Sequence, residues 1–492
     1  MTVAPGRLIQ TLVTLTVIAL ATPSRAQTDD DVFNADSRSR AKDLSAQSDQ
    51  HRPDDQFEIR LFGRSLIIGG EVGVENELRD NYSLDDNDDR DRWIIKSKAE
   101  LELLYTLSDT AVAFAELRAD YEQQYEDRGN TGRHDKSVSR GQSWLYLASL
   151  FESPLSLQLG RQQFRDKREW WWDDTLDALR LHWDTENLHM EAAYARELLP
   201  VCTPCSGINP AYEDVHRWLG MGEWVWTKKN SLAVFAARQD DRSSRHVLGE
   251  MLSDANEDPI DLSGTWLGLR ARGRLKSDLV GRLYYWLDTA WMRGREVRYD
   301  YDGVSLNLSE VDQVRTTRVG GWALDTGLTI DFEDWPMQPR LTLGFAHADG
   351  AGDDAEGGGT FVQTGIHDNN GKFRGVDRFK YYGEVLRPEL ANLRIYTLGL
   401  GLPILDNSSV ELIAHRYAQV EPSTLLRGSR MRRPVTGRST DIGTAVDLVI
   451  GIEEWRQFEV ELVVGGFRSG DAFGRFAGNT AFNVTLSLDF NF

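Results

Sequence analysis

From Phe482 to Phe492 apolar and polar residues alternate without a break, with Phe482, Val484, Leu486, Leu488, Phe490 and Phe492 on one side and Asn483, Thr485, Ser487, Asp489 and Asn491 on the other. Successive side chains of a strand point to opposite faces, so this segment reads as a strand with one face fit for lipid and the other for water. The pattern recurs in Trp93 to Tyr105, where Trp93, Ile95, Ala99, Leu101, Leu103 and Tyr105 oppose Lys96, Lys98, Glu100 and Glu102. Leu267, Leu269, Ala271 and Leu275 alternate with Arg270, Arg272, Arg274 and Lys276, which predicts a ladder of cations on an inner wall. A soluble sandwich would have to bury that ladder unpaired, at high cost. Comparable alternation appears in 279–291, 322–332, 341–345 and 458–464, and no helical periodicity competes with it.

The N-terminus agrees on the compartment. Arg7 precedes an apolar run from Leu8 to Ala21, followed by Ser24-Arg25-Ala26, the small-x-small pattern of a secretory signal peptide over 1–26. The run is shorter than the roughly 20 apolar residues of a spanning helix. Residues 27–56 are polar and acidic, with Asp29-Asp30-Asp31 and Asp54-Asp55, and read as a periplasmic leader. Residues 57–492 then form an all-β, antiparallel transmembrane barrel, because closure leaves no unpaired backbone edge in lipid. At about 9 to 11 residues per tilted strand, the length suits roughly sixteen to twenty strands. A terminal strand closed by Phe492 resembles the segment that outer-membrane barrels offer to their assembly machinery, so the outer membrane of a Gram-negative bacterium, with its lipids, is the expected setting. The net charge of −21 argues against nucleic acid as a partner.

Candidate sites are few. Cys202-Thr203-Pro204-Cys205 has C-x-x-C spacing but no second pair to complete four metal ligands, so a local disulfide is the reading in an oxidising compartment. No nucleophile elbow, zinc-ligand pair or phosphate loop stands out, so no enzyme, cofactor or metal is expected. Acidic runs at 85–89 and 349–359 read as solvated loops that could also hold calcium. Trp170-Trp171-Trp172 with Asp173-Asp174, just after a basic stretch, suits either sugar stacking, with Trp171 as the platform, or a membrane-interface belt.

Three blocks carry a family resemblance. The first is Leu159-Gly160-Arg161-Gln162 with Arg165, Trp171, Asp173, Thr175 and Leu179. The second is Phe361-Val362-Gln363-Thr364-Gly365 with Arg378, Gly383-Glu384, Arg387, Glu389-Leu390 and Asn392-Leu393, and the third is Gly465-Gly466-Phe467 with Gly470-Asp471-Ala472-Phe473-Gly474. In order from about Phe57 to Phe492 they resemble the alginate-export porins. The resemblance implies an eighteen-stranded monomeric barrel whose arginine-rich constriction passes an acidic polysaccharide, alginate or a similar polyuronate, handed over by periplasmic secretion partners. It assigns Arg161, Arg165, Arg378 and Arg387 to the constriction with Asp173 and Glu384 as acids, and Arg140 as a looser match. Arg161, Gln163 and Arg165 share the strand parity of Leu155, Leu157 and Leu159, so a bulge near Gly160 is expected to turn them inward. Where the family carries two arginines before its Gly-Gly turn, this chain has Glu461, Leu462, Val463 and Val464, and Arg270, Arg272 and Arg274 are the candidate replacement. The alternative reading is an uptake porin for small anions or sugar acids.

Overall fold

The computed structural model describes residues 57–85, 91–126, 132–203, 205, 207–277, 281–351 and 359–492, with Arg40 and Leu44. The signal segment, the rest of the leader, Asp86 to Asp89 and most of the acidic run 349–359 lie outside the described residues.

Among the described residues eighteen antiparallel strands close into a barrel. In chain order they are β1 (Arg64–Asp80), β2 (Arg92–Ser108), β3 (Ala111–Glu126), β4 (Arg133–Leu147), β5 (Leu155–Arg165) and β6 (Asp173–Asp184). There follow β7 (Leu188–Ala195), β8 (Val215–Thr227), β9 (Asn230–Asp241), β10 (Ile260–Ser277), β11 (Gly281–Ser305) and β12 (Leu308–Asp331). The last six are β13 (Arg340–Ala348), β14 (Leu393–Leu405), β15 (Ser408–Gln419), β16 (Asp441–Trp455), β17 (Phe458–Ser469) and β18 (Thr480–Asn491). β18 pairs with β1 from Glu71↔Asn491 to Asp80↔Phe482, which closes the ring. Phe492 exchanges both backbone hydrogen bonds with Gly70, at 3.0 and 3.1 Å. Alternation sets the faces: Phe482 and Phe490 are exposed outward, while Asn483 and Asn491 are buried on the lumen side. The alternating segments lie in β2, β10, β11, β12, β13 and β17, as the pattern requires.

Most connections at the Arg64 end of β1 are short, such as 109–110, 228–229, 406–407 and 456–457. Most of those at the other end are longer, 306–307 excepted, as on the outer face of bacterial barrels. Two of the long side's connections fold inward. The segment 359–392 descends the lumen: Val376 N–H donates to Ser409 Oγ at 2.9 Å, and the Arg374 carbonyl accepts Arg340 Nη1 at 2.5 Å. Arg340 and Ser409 stand at the periplasmic ends of β13 and β15, so the segment reaches the bottom of the barrel and climbs back. At the top, Asn392 Nδ2 donates to the Glu421 carbonyl at 2.8 Å. Arg378 and Arg387 therefore ride on this inner segment and not on a strand of the wall, with Gly383 at φ +102 providing the bend between them. The second inward piece is 166–172. Its Trp170, Trp171 and Trp172 join Phe235, Trp266, Phe361, Phe379 and Tyr381 in one buried cluster that fills part of the lumen. A barrel of this width cannot pack side chains from its wall alone, and the two inward segments supply the missing volume.

Candidate functional site in the lumen

The upper end of the β5–β6 hairpin leaves the wall. β4 pairs with β5 only up to Ser143↔Arg161, and β6 with β7 only up to Ala178↔Ala195, whereas β5 and β6 stay paired to Arg165↔Asp173. The register runs through Gly160 without the expected bulge; the inward turn coincides instead with Gly160 at φ +119, where a Cβ would run into the Ser143 carbonyl. The opening left in the wall is filled by the stretch after β7. Arg140 N–H donates to the Val201 carbonyl at 2.9 Å and Thr203 N–H to Val138 at 2.8 Å, beside the Ser139↔Cys202 bridge. Cys202 and Cys205, whose Cα atoms are 5.2 Å apart, are joined as a disulfide in this stretch.

The inward hairpin divides the lumen. On one side lies the tryptophan cluster. On the other is a polar cavity of 310 Å³, lined among others by Arg118, Arg140, Arg161, Arg165, Glu116, Asp173 and Asp174. Each of these arginines already holds a carboxylate. Arg140 grips Asp177 with two bonds of 2.9 Å, Arg161 meets Glu197 at 3.1 Å, and Arg118 meets Asp120 at 2.7 Å. Arg165 Nε lies 2.7 Å from Asp173 and 3.1 Å from Glu169. Glu169 also takes Arg378 Nη2 at 2.7 Å, so one carboxylate ties the hairpin tip to the descending segment. Its backbone carbonyl accepts Asp368 and Asn369 N–H as well. Burial pushes the Glu169 carboxyl up, opposed by Arg378 and reinforced by Asp173.

The other predicted residues fall elsewhere. Arg387 pairs with Glu384 at 2.7 Å within the descending segment. Arg270 is buried and locked between Asp166 at 2.6 Å and Asp288 at 2.5 Å, while Arg272 meets Glu223 at 3.0 Å. Arg274 stands 6.0 Å from the Tyr284 ring centre. Arg270 and Arg272 are thus paired, and none of the three arginines is among the residues that line the cavity. Glu461 does face the lumen, in β17. Trp171 is a core residue: it is 1% exposed and its ring stacks on Phe235 with centres 4.9 Å apart, so in this conformation that face is closed to a sugar. Asp166 explains why. Its carboxylate accepts the backbone N–H of Arg168, Trp171 and Trp172, which curls the connection and turns the indoles inward. Arg118, Asp166 and Glu169 are lumenal residues that sequence reasoning missed; for Arg118 the available signal was its alternation with exposed Leu117 and Ala119.

A closed eighteen-strand barrel with a lipid-facing exterior and a charged lumen is an outer-membrane channel. A family profile described as alginate export matches residues 37–487, and the chain belongs to that family. This places it in the outer membrane of a Gram-negative bacterium. The chain is 25% identical over 357 residues to the alginate production protein AlgE of Pseudomonas aeruginosa, covering 70% of this chain and 71% of that one. It is 24% identical over 417 residues to AlgE of Azotobacter vinelandii, covering 79% and 83%. Among solved structures, Pseudomonas aeruginosa OprD superposes with a TM-score of 0.47 at 11% identity, covering 94% of this chain and 99% of that one.

Proposed function

We propose that this channel exports an anionic exopolysaccharide, alginate or a similar polyuronate, past the arginines beside the inward hairpin. The observation that carries the reading is the gathering of Arg118, Arg140, Arg161 and Arg165 around one polar cavity. Arginine stays charged at any working pH and offers a planar fork that fits a carboxylate. Asp173, Asp177 and Glu197 occupy those forks at rest. A uronate carboxylate can exchange with each in turn, so the resting acids keep every contact weak enough to release. Low-dielectric walls focus the field of such cations and favour anions at the cavity. The segment 359–392 occupies the lumen and must give way in part for a chain of sugars to pass.

The test is made in cells that synthesise an acidic exopolysaccharide and lack this protein. Restoring the wild-type chain should return polymer to the medium, and Arg161→Ala with Arg165→Ala should leave polymer in the periplasm while the barrel still assembles. Normal polymer release without the protein, together with lost uptake of small anions, would move the reading to an uptake porin.

A further inference from the structure

The hairpin of β6 and β7 carries a repeated motif across its turn, His182-Trp183-Asp184 and His189-Met190-Glu191. The register opposes His182 to Glu191 and Asp184 to His189, with Trp183 opposite Met190. Trp183 and Met190 are exposed on the lipid face, so the four polar side chains share the lumen face near the periplasmic rim. His182 is fully buried and His189 nearly so. One ring nitrogen of His182, one of His189 and a Glu191 oxygen all lie within 4.8 Å of one another.

Each ring has its orientation fixed from behind. His182 Nε2 is 3.2 Å from Gln158 Oε1, which makes Nε2 the donor and leaves Nδ1 as a lone pair. That buried Nδ1 has no other hydrogen-bond partner and stands 3.3 Å from Glu191 Oε1. His189 Nδ1 is bonded to Asp184, the carboxylate–histidine arrangement that directs the other nitrogen to a metal, and His189 Nε2 lies 2.7 Å from the same Glu191 oxygen. Arg180 Nε holds Glu191 Oε2 at 3.0 Å and leaves Oε1 for the rings. The donor atoms of a tetrahedral ion with bonds of about 2.0 to 2.1 Å stand roughly 3.3 Å apart.

We propose that His182, His189 and Glu191 bind one divalent ion of the zinc class, with Asp184 as the positioning carboxylate and water in the fourth place. Two imidazoles and a carboxylate suit zinc and its neighbours better than magnesium or calcium, which take oxygen ligands. An ion here would pin the β6–β7 hairpin near the periplasmic rim, below the point where β5 and β6 bend inward.

The protein, purified from outer membranes in detergent and stripped with EDTA, is titrated with Zn²⁺ by calorimetry and against a chromophoric chelator. One equivalent should bind, excess Mg²⁺ should not displace it, and Co²⁺ should give the visible spectrum of a nitrogen–oxygen site of low coordination number. His182→Ala should abolish the stoichiometric uptake, and Asp184→Asn should weaken it by about 10- to 100-fold. Heat-modifiable migration on gels checks that each variant is a folded barrel; should His182→Ala fail that check, His189→Gln carries the same expectation. Absence of stoichiometric Zn²⁺ uptake by the wild-type protein, or uptake by a folded His182→Ala or His189→Gln variant equal to wild type, would overturn the site.

Discussion

Two groups of arginines occupy this lumen, and they differ in what surrounds the pairs they make. Arg168 and Arg270 are enclosed. Arg168 reaches Asp325 at 2.8 Å and lies between the rings of Trp286 and Tyr381, 4.7 and 4.3 Å from their centres, while Arg270 holds Asp166 and Asp288. Arg118, Arg140 and Arg165 make similar pairs that are partly exposed at the edge of an open cavity, and Arg161 lines the same cavity although its pair with Glu197 is buried. An enclosed pair excludes any competitor, so its role is to hold the tryptophan connection in place; a pair beside a cavity can trade its carboxylate for one that arrives. The same chemistry therefore serves structure on one side of the inward hairpin and, under the function proposed above, transport on the other.

The strongest break in that comparison is Arg270→Met. It leaves Asp166 and Asp288 buried without their guanidinium, and stranding a buried charge costs about 3 to 5 kcal/mol. We expect a lower melting temperature in detergent and a larger, noisier conductance as the 166–172 connection loosens. An unchanged melt and conductance would mean that Arg270 does not hold the connection. Gly160→Ala comes next. The residue would sit at φ +119 with its Cβ against the Ser143 carbonyl, a strain of about 1 to 3 kcal/mol. The hairpin should then straighten toward the wall, read as reduced protection of 161–165 in hydrogen exchange; retained protection would detach the inward turn from this glycine.

How far this division was legible follows from the range of the contacts involved. The lipid-facing series of β2, β10 and β18 were plain, because alternation is a local property set by the membrane. The need for an irregularity at Gly160 was also plain, since parity conflicted with placing Arg161 and Arg165 inside. The inward path of 359–392 was not, because its partners Arg340 and Ser409 belong to strands that carry no mark of it. Trp170 to Trp172 suggested a belt or a sugar platform, yet the clamp of Asp166 on backbone amides, invisible to composition, made them core. The His182/Asp184 and His189/Glu191 repeat escaped notice because metal motifs are sought along one element, whereas these residues meet only across a hairpin register.

A smaller effect on folding, and the sharper test of the cavity group, is expected from Arg118→Gln with Arg165→Gln. Both side chains are partly solvated, and the buried Glu169 beside Arg165 keeps Arg378, so the melt should move less than for Arg270→Met. The loss should appear instead as reversal potentials shifted toward cations in planar bilayers, with the wild-type preference itself fading as salt is raised. A large melt shift with unchanged selectivity would make these arginines structural like Arg270 and would erase the difference between the two groups.

The least effect is expected from Cys202→Ser with Cys205→Ser, although the disulfide lies in the stretch that closes the wall outside the cavity. The ring it closes is short, so it removes little entropy from the unfolded chain. What seats the stretch on β4 is the pair of backbone bonds from Arg140 to Val201 and from Thr203 to Val138, together with Arg140 reaching the Leu199 carbonyl at 2.9 Å and Pro200 at 3.2 Å. These bonds survive the double substitution, so barrel assembly, conductance and anion preference should remain near wild type. Arg140→Gln removes the side-chain anchors while leaving the disulfide, and it should expose the stretch to protease where the double serine variant does not. If instead the serine variant alone is cleaved or leaks, the covalent link and not the arginine seals the wall, and Arg140 is then free to serve the cavity.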